Sequence, residues 1–177
     1  MLSTKQGEGF DDGVHLHRLR VYYEDTDAGG VVYYANYLKF AERARTEMLR
    51  DLGFEPGGGT DPGGGIDPPG LAAVEGVAFT VSRCEVDYLA PARLDDELTV
   101  RTRIVKMFAA TLEAEQIISR GATDCARLIV RLACVNGAGR PVRLPESILT
   151  AHRSVTGAPR PGASKPDPLL SQAKKRA

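Results

Sequence analysis

The sequence predicts an α+β protein in which one long helix packs against an antiparallel β-sheet. A single amphipathic helical pattern of about 20 residues covers roughly residues 32–52. From Leu71 onward the pattern is entirely that of strands with short connections, which favours hairpins. The predicted ordered segments, 15–53 and 71–149, leave no room for repeated βαβ units. The predicted element order is therefore one strand, one helix and four more strands.

The first strand is predicted over residues 15–23, where HLHRLRVYY alternates between two faces. The turn Ala28-Gly29-Gly30 ends this strand, and the helix that follows is stopped by Gly53. With about 3.6 residues per turn, one side of the helix carries a broad apolar stripe. The stripe consists of Tyr34, Tyr37, Leu38, Ala41, Met48, Leu49 and Leu52.

Four strands are predicted in the second half of the chain. Their sequences are VEGVAFTVSRCEVDYLA, DDELTVRTRIVKMFA, AATLEAEQIISR and CARLIVRLACVN, and PVRLPESIL closes the domain. The last of the four strands is the most apolar, so we expect it inside the sheet rather than at an edge. A single helix leaves sheet edges and apolar surface that a second subunit commonly covers. The architecture alone therefore favours a homo-oligomer.

One domain is predicted over residues 15–153, between a disordered N-terminal segment, 1–14, and a disordered tail, 154–177. Within the domain, residues 55–70 read EPGGGTDPGGGIDPPG, a Gly- and Pro-rich composition that predicts a flexible loop. A phosphate-binding Gly loop needs a strand before it and a helix after it. Here a helix precedes the loop and a strand follows, so phosphate binding is disfavoured.

Composition and motif content exclude several classes of protein. The 23 basic and 23 acidic side chains give zero net charge without a basic stripe, which disfavours nucleic-acid binding. No apolar run reaches the ~18 residues of a membrane span, and the first residues lack the apolar core of a secretory signal. Cys84, Cys125 and Cys134 are odd in number and lack C-x-x-C spacing. Cys125 and Cys134 lie in strand-like runs and are expected to be buried free thiols, which fits a reducing cytoplasm. No acidic residue or Cys lies at metal-ligand spacing from the His15-x-His17 pair, so no metal site is expected.

Three acidic residues, Glu24, Asp25 and Asp27, lie between the first strand and the helix. Counted from Asp25, a calcium loop would need an oxygen ligand where Gly29 stands and an acid where Asn36 stands, so that motif fails. A D-x-D phosphotransfer site would need a doubly wound βαβ body, which the element order excludes. Helix capping would explain the acids as a group, since carboxylates favour a helix N-terminus.

Asp27 is also placed for chemistry. The first N–H groups of a helix lack intrahelical acceptors, and Asp27 is expected one tight turn away from them. A carbonyl oxygen bound by those N–H groups would place its carbon within reach of the Asp27 carboxylate, as in acyl transfer at an oxyanion hole. Because an ionised Asp is a weak base, it suits an activated acyl group with a thiolate leaving group. This reasoning favours hydrolysis of a thioester over that of an amide.

At these residues the sequence resembles a known family. The motifs V-Y-Y-E-D-T-D-A-G-G-V-V-Y and Y-L-x-F-x-E-R-A-R-T-E-M-L are similar to those of the hot-dog-fold acyl-CoA thioesterases of the YbgC group. That group is associated with the Tol-Pal system and lies near the 4-hydroxybenzoyl-CoA thioesterases. The resemblance extends to D-Y-L-A-P-A-R-L-D-D-E-L at residues 87–98 and covers about residues 17–149.

The resemblance implies a hot-dog fold, in which a five-stranded antiparallel sheet wraps one long helix, paired into homodimers or homotetramers. It implies that Asp27 is the catalytic carboxylate and that the backbone N–H of Tyr34 polarises the thioester carbonyl. It further implies a bacterial cytoplasmic enzyme that hydrolyses short-chain or aromatic acyl-CoA, or an acyl-carrier-protein thioester, without metal or cofactor. The residues expected to bind the substrate are Gly30, Val31, Tyr33, Asn36 and Tyr37.

Glu42 is a reserve candidate for the catalytic carboxylate, because other hot-dog thioesterases use an acid on the helix. It lies three residues before Arg45, a spacing that favours a helical or intersubunit ion pair. The alternative to an enzyme is a non-catalytic acyl-binding or scaffold protein of the Tol-Pal machinery. A hot-dog dehydratase would need an active-site His near the helix start, where this chain has Tyr34.

The sequence departs from the YbgC pattern in two places. Tyr34 stands where that group usually has His, and Y-A-N-Y at residues 34–37 is closer to the Y-P-N-Y of the 4-hydroxybenzoyl-CoA enzymes. A backbone role for residue 34 survives this change, and a Tyr there favours an aromatic acyl group by stacking. The Gly/Pro-rich segment 55–70 is longer than usual and lies where it would border a pocket entrance.

Overall fold

A computed structural model describes the chain over residues 9–54 and 76–156. Within these ranges the strands found form one antiparallel sheet in the order β1-β2-β4-β5-β6-β3, and the helix predicted from the sequence packs against it. In chain order the elements are β1 (Gly9–Asp11), β2 (Val14–Arg20), α1 (Asn36–Asp51), β3 (Val77–Tyr88), β4 (Glu97–Met107), β5 (Thr111–Arg120), β6 (Thr123–Asn136) and α2 (Glu146–Thr156). The predicted α+β architecture is confirmed.

The helix α1 is held to the sheet by an apolar face that repeats every three or four residues. Its buried side chains include Tyr37, Phe40, Ala41, Ala44 and Met48. They pack mainly onto β2, β4 and β5. The core cluster that they join includes Leu98 and Val100 of β4, Ile118 of β5, and Leu128 and Val130 of β6. Because alanines occupy the middle of this face, the helix backbone can approach the sheet closely.

The start of α1 differs from the sequence prediction. The helix begins at Asn36 rather than at residues 32–34. The N–H of Val32 donates to the Ala92 carbonyl over 2.8 Å, and the N–H of Tyr33 donates to the Asp25 carbonyl over 2.9 Å. These bonds to distant segments hold both residues outside the helix, so it starts only after them.

The apolar stripe of the helix was also predicted only in part. Tyr37, Ala41 and Met48 are buried as expected, but Leu38 is 40% exposed. Phe40, which the predicted stripe omitted, is fully buried. The helix is rotated relative to the prediction because its buried face is chosen by the sheet rather than by its own sequence alone.

Both ends of the described chain are more ordered than predicted. Residues 9–11 form β1 and pair with β2, so the fold begins before residue 15 and the sheet has six strands in the described residues rather than five. The segment PVRLPESIL leads into α2, a helix that the sequence analysis did not predict and that extends into the predicted tail. The predicted loop 55–70 and the outer parts of both termini lie outside the described residues.

Two smaller expectations concern the interior of the sheet. Strand β6 pairs with both β5 and β3, which confirms its predicted interior position. Cys125 and Cys134 are buried free thiols as expected, whereas Cys84 is exposed on the edge strand β3. Neither α1 nor α2, the helices of the described ranges, has the length and apolar composition needed to cross a bilayer.

One polar side chain joins the helix to the centre of the sheet. Gln116, on β5, is fully buried, and its amide nitrogen donates to the Ala41 carbonyl over 2.9 Å and to the Thr102 hydroxyl over 3.0 Å. Its amide oxygen accepts a hydrogen bond from Arg45 Nη1 at 2.6 Å. Since a buried amide is costly without partners, this network fixes how α1 sits on the sheet.

Replacement of Gln116 by leucine is expected to destabilise the protein. The variant Gln116→Leu removes three hydrogen bonds and leaves the Thr102 hydroxyl buried without this partner, so the free energy of unfolding should fall by about 2–4 kcal/mol. Urea denaturation followed by circular dichroism measures this change. The control is Glu115→Gln on the same strand, whose surface ion pair with Arg127 is worth less than about 1 kcal/mol. Equal stabilities for the two variants would contradict the role of the network.

Candidate active site

Asp27 lies at the first corner of a tight hairpin that precedes α1. Its N–H donates to the Val31 carbonyl over 2.9 Å, and the N–H of Gly30 donates back to the Asp27 carbonyl over 3.0 Å. Gly30 has φ of +74°, a conformation that L side chains rarely adopt. A Cβ at Gly29 would lie only 3.1 Å from Asp27 Oδ1. Both glycines are therefore needed for the turn that carries Asp27.

The Asp27 carboxylate is exposed and only partly engaged. Its Oδ1 accepts the Gly29 N–H over 2.8 Å, which orients the side chain over its own turn. The other oxygen, Oδ2, has no hydrogen-bond donor among the residues that the structure describes. One oxygen thus holds the geometry and the other is available to a ligand.

Asp25, two residues earlier, has a different role. It is buried, and its Oδ2 accepts the Tyr22 N–H over 2.9 Å. Its main-chain carbonyl accepts both the Tyr33 N–H and the Asn36 side-chain amide, each over 2.9 Å. Asp25 therefore ties the hairpin to the first residue of α1, while Glu24 is exposed.

The approach to α1 offers free backbone donors. Within the described ranges, neither the Tyr34 N–H nor the Ala35 N–H has an acceptor, whereas the Asn36 N–H donates to the Tyr33 carbonyl over 2.8 Å. Tyr34 lies three residues beyond Val31, the partner of Asp27, and so at most about 10 Å further along the chain. The hairpin therefore places the N–H of Tyr34 and the carboxylate of Asp27 within one short segment of the chain, residues 27–34.

A cavity of about 270 Å³ opens beside these donors, between the start of α1 and the end of β3. The Tyr88 hydroxyl donates to the Tyr34 carbonyl over 3.1 Å, and the two rings meet edge to face at 6.2 Å. The Tyr37 ring lies 5.7 Å from that of Tyr88. Burial raises the pKa of the Tyr37 and Tyr88 phenols, so both hydroxyls stay protonated near neutral pH. The walls of the cavity are Val32, Tyr34, Tyr37, Tyr88, Leu89, Ala90 and Pro91.

The predicted substrate-binding residues fall into two groups. Gly30 and Tyr33 are exposed and Val31 is half-buried, all three on the hairpin. Asn36 and Tyr37 are buried, and their polar groups are engaged with the protein: Asn36 with Asp25, and the Tyr37 hydroxyl with the Ala92 N–H over 3.0 Å. The first group can contact a ligand directly, whereas the second group builds the wall behind it.

Sequence reasoning did not single out Tyr88 as a site residue. It belongs to the motif D-Y-L-A-P-A-R-L-D-D-E-L, which was noted only as part of the family resemblance. Its contact with Tyr34 joins residues 54 positions apart, and no local pattern reports such a contact.

Glu42 and Arg45 do not form the ion pair expected within the helix. Glu42 Oε1 instead accepts a hydrogen bond from the Thr46 hydroxyl over 2.9 Å, and Arg45 donates to Gln116. No carboxylate of residues 9–54 or 76–156 forms a salt bridge with Arg45, because the side chain folds inward to the sheet. Burial lowers the pKa of the Arg45 guanidinium, although Glu42 favours its charge. Glu42 lies on the second turn of α1, about 9 Å along the helix axis from Asn36 at a rise of about 1.5 Å per residue.

The histidine considered for metal binding has a structural partner. His15 is buried, and its Nε2 lies 2.9 Å from Asp51 Oδ2 at the end of α1. No group of three potential metal ligands is found in the described parts of the chain.

Comparisons with known proteins agree with this site and fold. A family model described as the thioesterase-like superfamily matches residues 21–151. The acyl-CoA thioesterase YbgC of Haemophilus influenzae is 41% identical over 134 residues, which make up 75% of this chain and 90% of that protein.

Two solved structures have the same fold at substantial identity. The Probable Thioesterase from Bartonella henselae has a TM-score of 0.63 and 37% identity, over 75% of this chain and 99% of that one. A Thermus thermophilus thioesterase complexed with coenzyme A and zinc has a TM-score of 0.64 and 34% identity, over 86% of this chain and 98% of that one. The hot-dog fold and the resemblance seen in the motifs are thereby confirmed, and the chain belongs to the thioesterase-like superfamily.

Proposed function

We propose that this protein hydrolyses acyl-CoA thioesters, with Asp27 as the catalytic carboxylate and the Tyr34 N–H as the oxyanion donor. The observation that carries the proposal is the pairing of a half-engaged carboxylate with free backbone N–H groups across one hairpin. The YbgC relative, named an acyl-CoA thioesterase, supports the choice of substrate. The coenzyme A complex of the Thermus relative supports it further.

In the proposed reaction the thioester oxygen accepts a hydrogen bond from the Tyr34 N–H, which stabilises the negative charge that develops there. Asp27 then acts in one of two ways. As a nucleophile its oxygen bonds to the carbonyl carbon, the C–S bond breaks, CoA leaves as the thiolate, and water cleaves the acyl anhydride. As a general base it takes a proton from water as the water oxygen attacks, and the departing thiolate receives that proton. No metal or cofactor takes part in either route.

The acyl group is proposed to be short or aromatic and to occupy the cavity lined by Tyr34, Tyr37 and Tyr88. A volume of about 270 Å³ suits a group of this size, and the three rings offer edge and face contacts to a planar acyl group. A thioester of acyl-carrier protein presents the same reacting group and is an alternative substrate. We place the enzyme in the bacterial cytoplasm, in keeping with the free thiols of Cys84, Cys125 and Cys134.

The proposed assembly is a homodimer or homotetramer that uses the free edge of β3. Among residues 9–54 and 76–156, β3 pairs only with β6, and its middle is exposed. Val81 and Tyr88 on β3 are each 49% exposed, and Leu89 just beyond it is 58% exposed. An unpaired strand edge with apolar side chains favours pairing with another chain.

The catalytic assignment is tested by Asp27→Asn. This variant keeps an oxygen that can accept the Gly29 N–H but removes the charge, so kcat should fall about 100-fold or more. The measurement is thiol release from butyryl-, benzoyl- and palmitoyl-CoA. The control Glu24→Gln changes an exposed acid of the same cluster and should keep wild-type kcat.

Unchanged turnover in Asp27→Asn would refute its role and make Glu42→Gln the next variant to measure. If the wild type turns over no acyl-CoA or acyl-carrier-protein thioester, the non-catalytic scaffold function in the Tol-Pal machinery replaces the proposal.

The aromatic cavity is tested by Tyr34→Ala, which keeps the backbone N–H but removes the ring. Loss of one aromatic contact should lower kcat/KM for benzoyl-CoA about 2- to 10-fold relative to butyryl-CoA. The control is Tyr23→Ala, whose side chain is 81% exposed and is not part of the cavity wall. An equal loss for both substrates in Tyr34→Ala would mean that the ring does not contact the acyl group.

The assembly is tested by Val81→Lys, which places a charge on the free edge strand. The wild type should have the mass of a dimer or tetramer by light scattering. The dissociation constant of this assembly should be at least about tenfold higher in the variant. The control Thr123→Lys adds the same charge at the exposed start of β6 and should leave the mass unchanged. A monomeric wild type would exclude the proposed assembly.

A further inference from the structure

A second cavity, of about 320 Å³, lies beside the C-terminal half of α1. It is bounded by α1, α2 and the sheet, including residues 79–81 of β3 beside the edge proposed for assembly. It is distinct from the tyrosine-lined cavity at the helix start. Its deep walls are apolar and include Met48, Leu112, Leu132 and Ile148. Cavities of this size and lining are typical of sites for small apolar ligands.

The polar groups of this cavity are concentrated on α1, at Glu42, Arg45 and Thr46. Arg45 is half-buried and donates to Gln116, and it forms no salt bridge with a carboxylate of the described residues. A guanidinium has five N–H donors and stays charged at any physiological pH, so one amide oxygen leaves most of them unused. A cation in such a place is most stable when an anion binds to it.

His152 also lines the cavity, but it adds no second positive charge to the wall. Burial lowers the pKa of its imidazole, so the side chain is neutral near pH 7. Arg45 is therefore the positive group of the cavity wall, and Glu42 is the negative one.

We propose that this cavity binds a free fatty acid, with the carboxylate on Arg45 and the alkyl chain in the apolar depth. Charge complementarity selects the head group, and the cavity walls beyond Arg45 select the chain. The site is separate from Asp27, because Arg45 lies nine residues into α1, about 14 Å along its axis from Asn36.

The ligand has the chemistry of the acid that thioester hydrolysis releases. The binding of a fatty acid at Arg45 does not depend on the proposed function. Only the identification of that acid as the product of the enzyme's own reaction rests on the proposed function. The same carboxylate could come from the medium or from hydrolysis, and the two sources are distinguished by a kinetic measurement below.

Glu42 provides a second test, in which the expected change in affinity has the opposite sign. Its carboxylate lies on the same rim and accepts the Thr46 hydroxyl instead of pairing with Arg45. It therefore repels an incoming carboxylate, so removal of its charge should strengthen binding while removal of the Arg45 charge weakens it.

The test is calorimetric titration of the full chain with sodium octanoate and with octan-1-ol, which differ in the head group. Octanoate should bind the wild type at least tenfold more tightly than octanol, as expected for a charge-assisted hydrogen bond. In Arg45→Gln the octanoate Kd should rise about 10- to 100-fold with little change for octanol. In Glu42→Gln the octanoate Kd should fall.

A variant inside the cavity separates binding from folding. Ile148→Phe fills the apolar depth and should weaken both probes by at least tenfold, while thermal unfolding shows whether each variant is folded. Equal affinity of octanoate and octanol in the wild type would overturn the proposal, because the carboxylate would then contribute nothing to binding. Absence of binding by either probe to the wild type would also overturn it.

An intersubunit ion pair of Arg45 predicts a different pattern. Arg45→Gln and Glu42→Gln would then both dissociate the oligomer without a change in octanoate affinity, and this result would overturn the proposal. The kinetic measurement adds octanoate during octanoyl-CoA hydrolysis. Slowing at octanoate concentrations that the reaction itself produces, if lost in Arg45→Gln, identifies the released acid as the ligand. Slowing that needs added octanoate well above those concentrations identifies acid from the medium.

Discussion

The main-chain carbonyl of Asp25 fixes the geometry on which the candidate site depends. It accepts two hydrogen bonds, one from the Tyr33 N–H and one from the side chain of Asn36, while its carboxylate accepts the Tyr22 N–H. These bonds join the chain just after β2, the far side of the Asp27 hairpin and the first residue of α1. Since buried polar groups rarely lose their partners, the position of the helix start relative to the hairpin is rigid. A carboxylate can assist chemistry at a backbone donor only if that relation is constant.

The second constraint is that one helix covers only part of a six-stranded sheet. α1 packs mainly onto β2, β4 and β5, and most side chains of β3 are exposed. Both cavities lie along this side, the tyrosine-lined one at the start of α1 and the apolar one toward its end. The free edge of β3 lies on the same side. Incomplete coverage therefore accounts for the binding space and for the surface that favours a second subunit.

The three acids before the helix show how neighbouring residues of one type separate in function. Glu24 is exposed, and Asp25 is buried and connects the hairpin to α1. The Asp27 carboxylate is oriented over its own turn by the Gly29 N–H. The glycines made Asp27 the natural candidate in the sequence, because they predict the tight turn. The separate role of Asp25 follows from its bonds to Tyr33 and Asn36, which a pattern of local residues does not report.

The sequence by itself determined the long amphipathic helix, five of the strands, the glycine turn at Asp27 and the family resemblance. Each of these is written in residues close together in the chain, where periodicity and turn chemistry are direct. Only the tertiary structure decided that α1 starts at Asn36, that Leu38 is exposed, that Arg45 turns to Gln116 and that Tyr88 meets Tyr34. These features depend on contacts between distant segments, whose packing and hydrogen bonds outweigh the small local preferences of each segment.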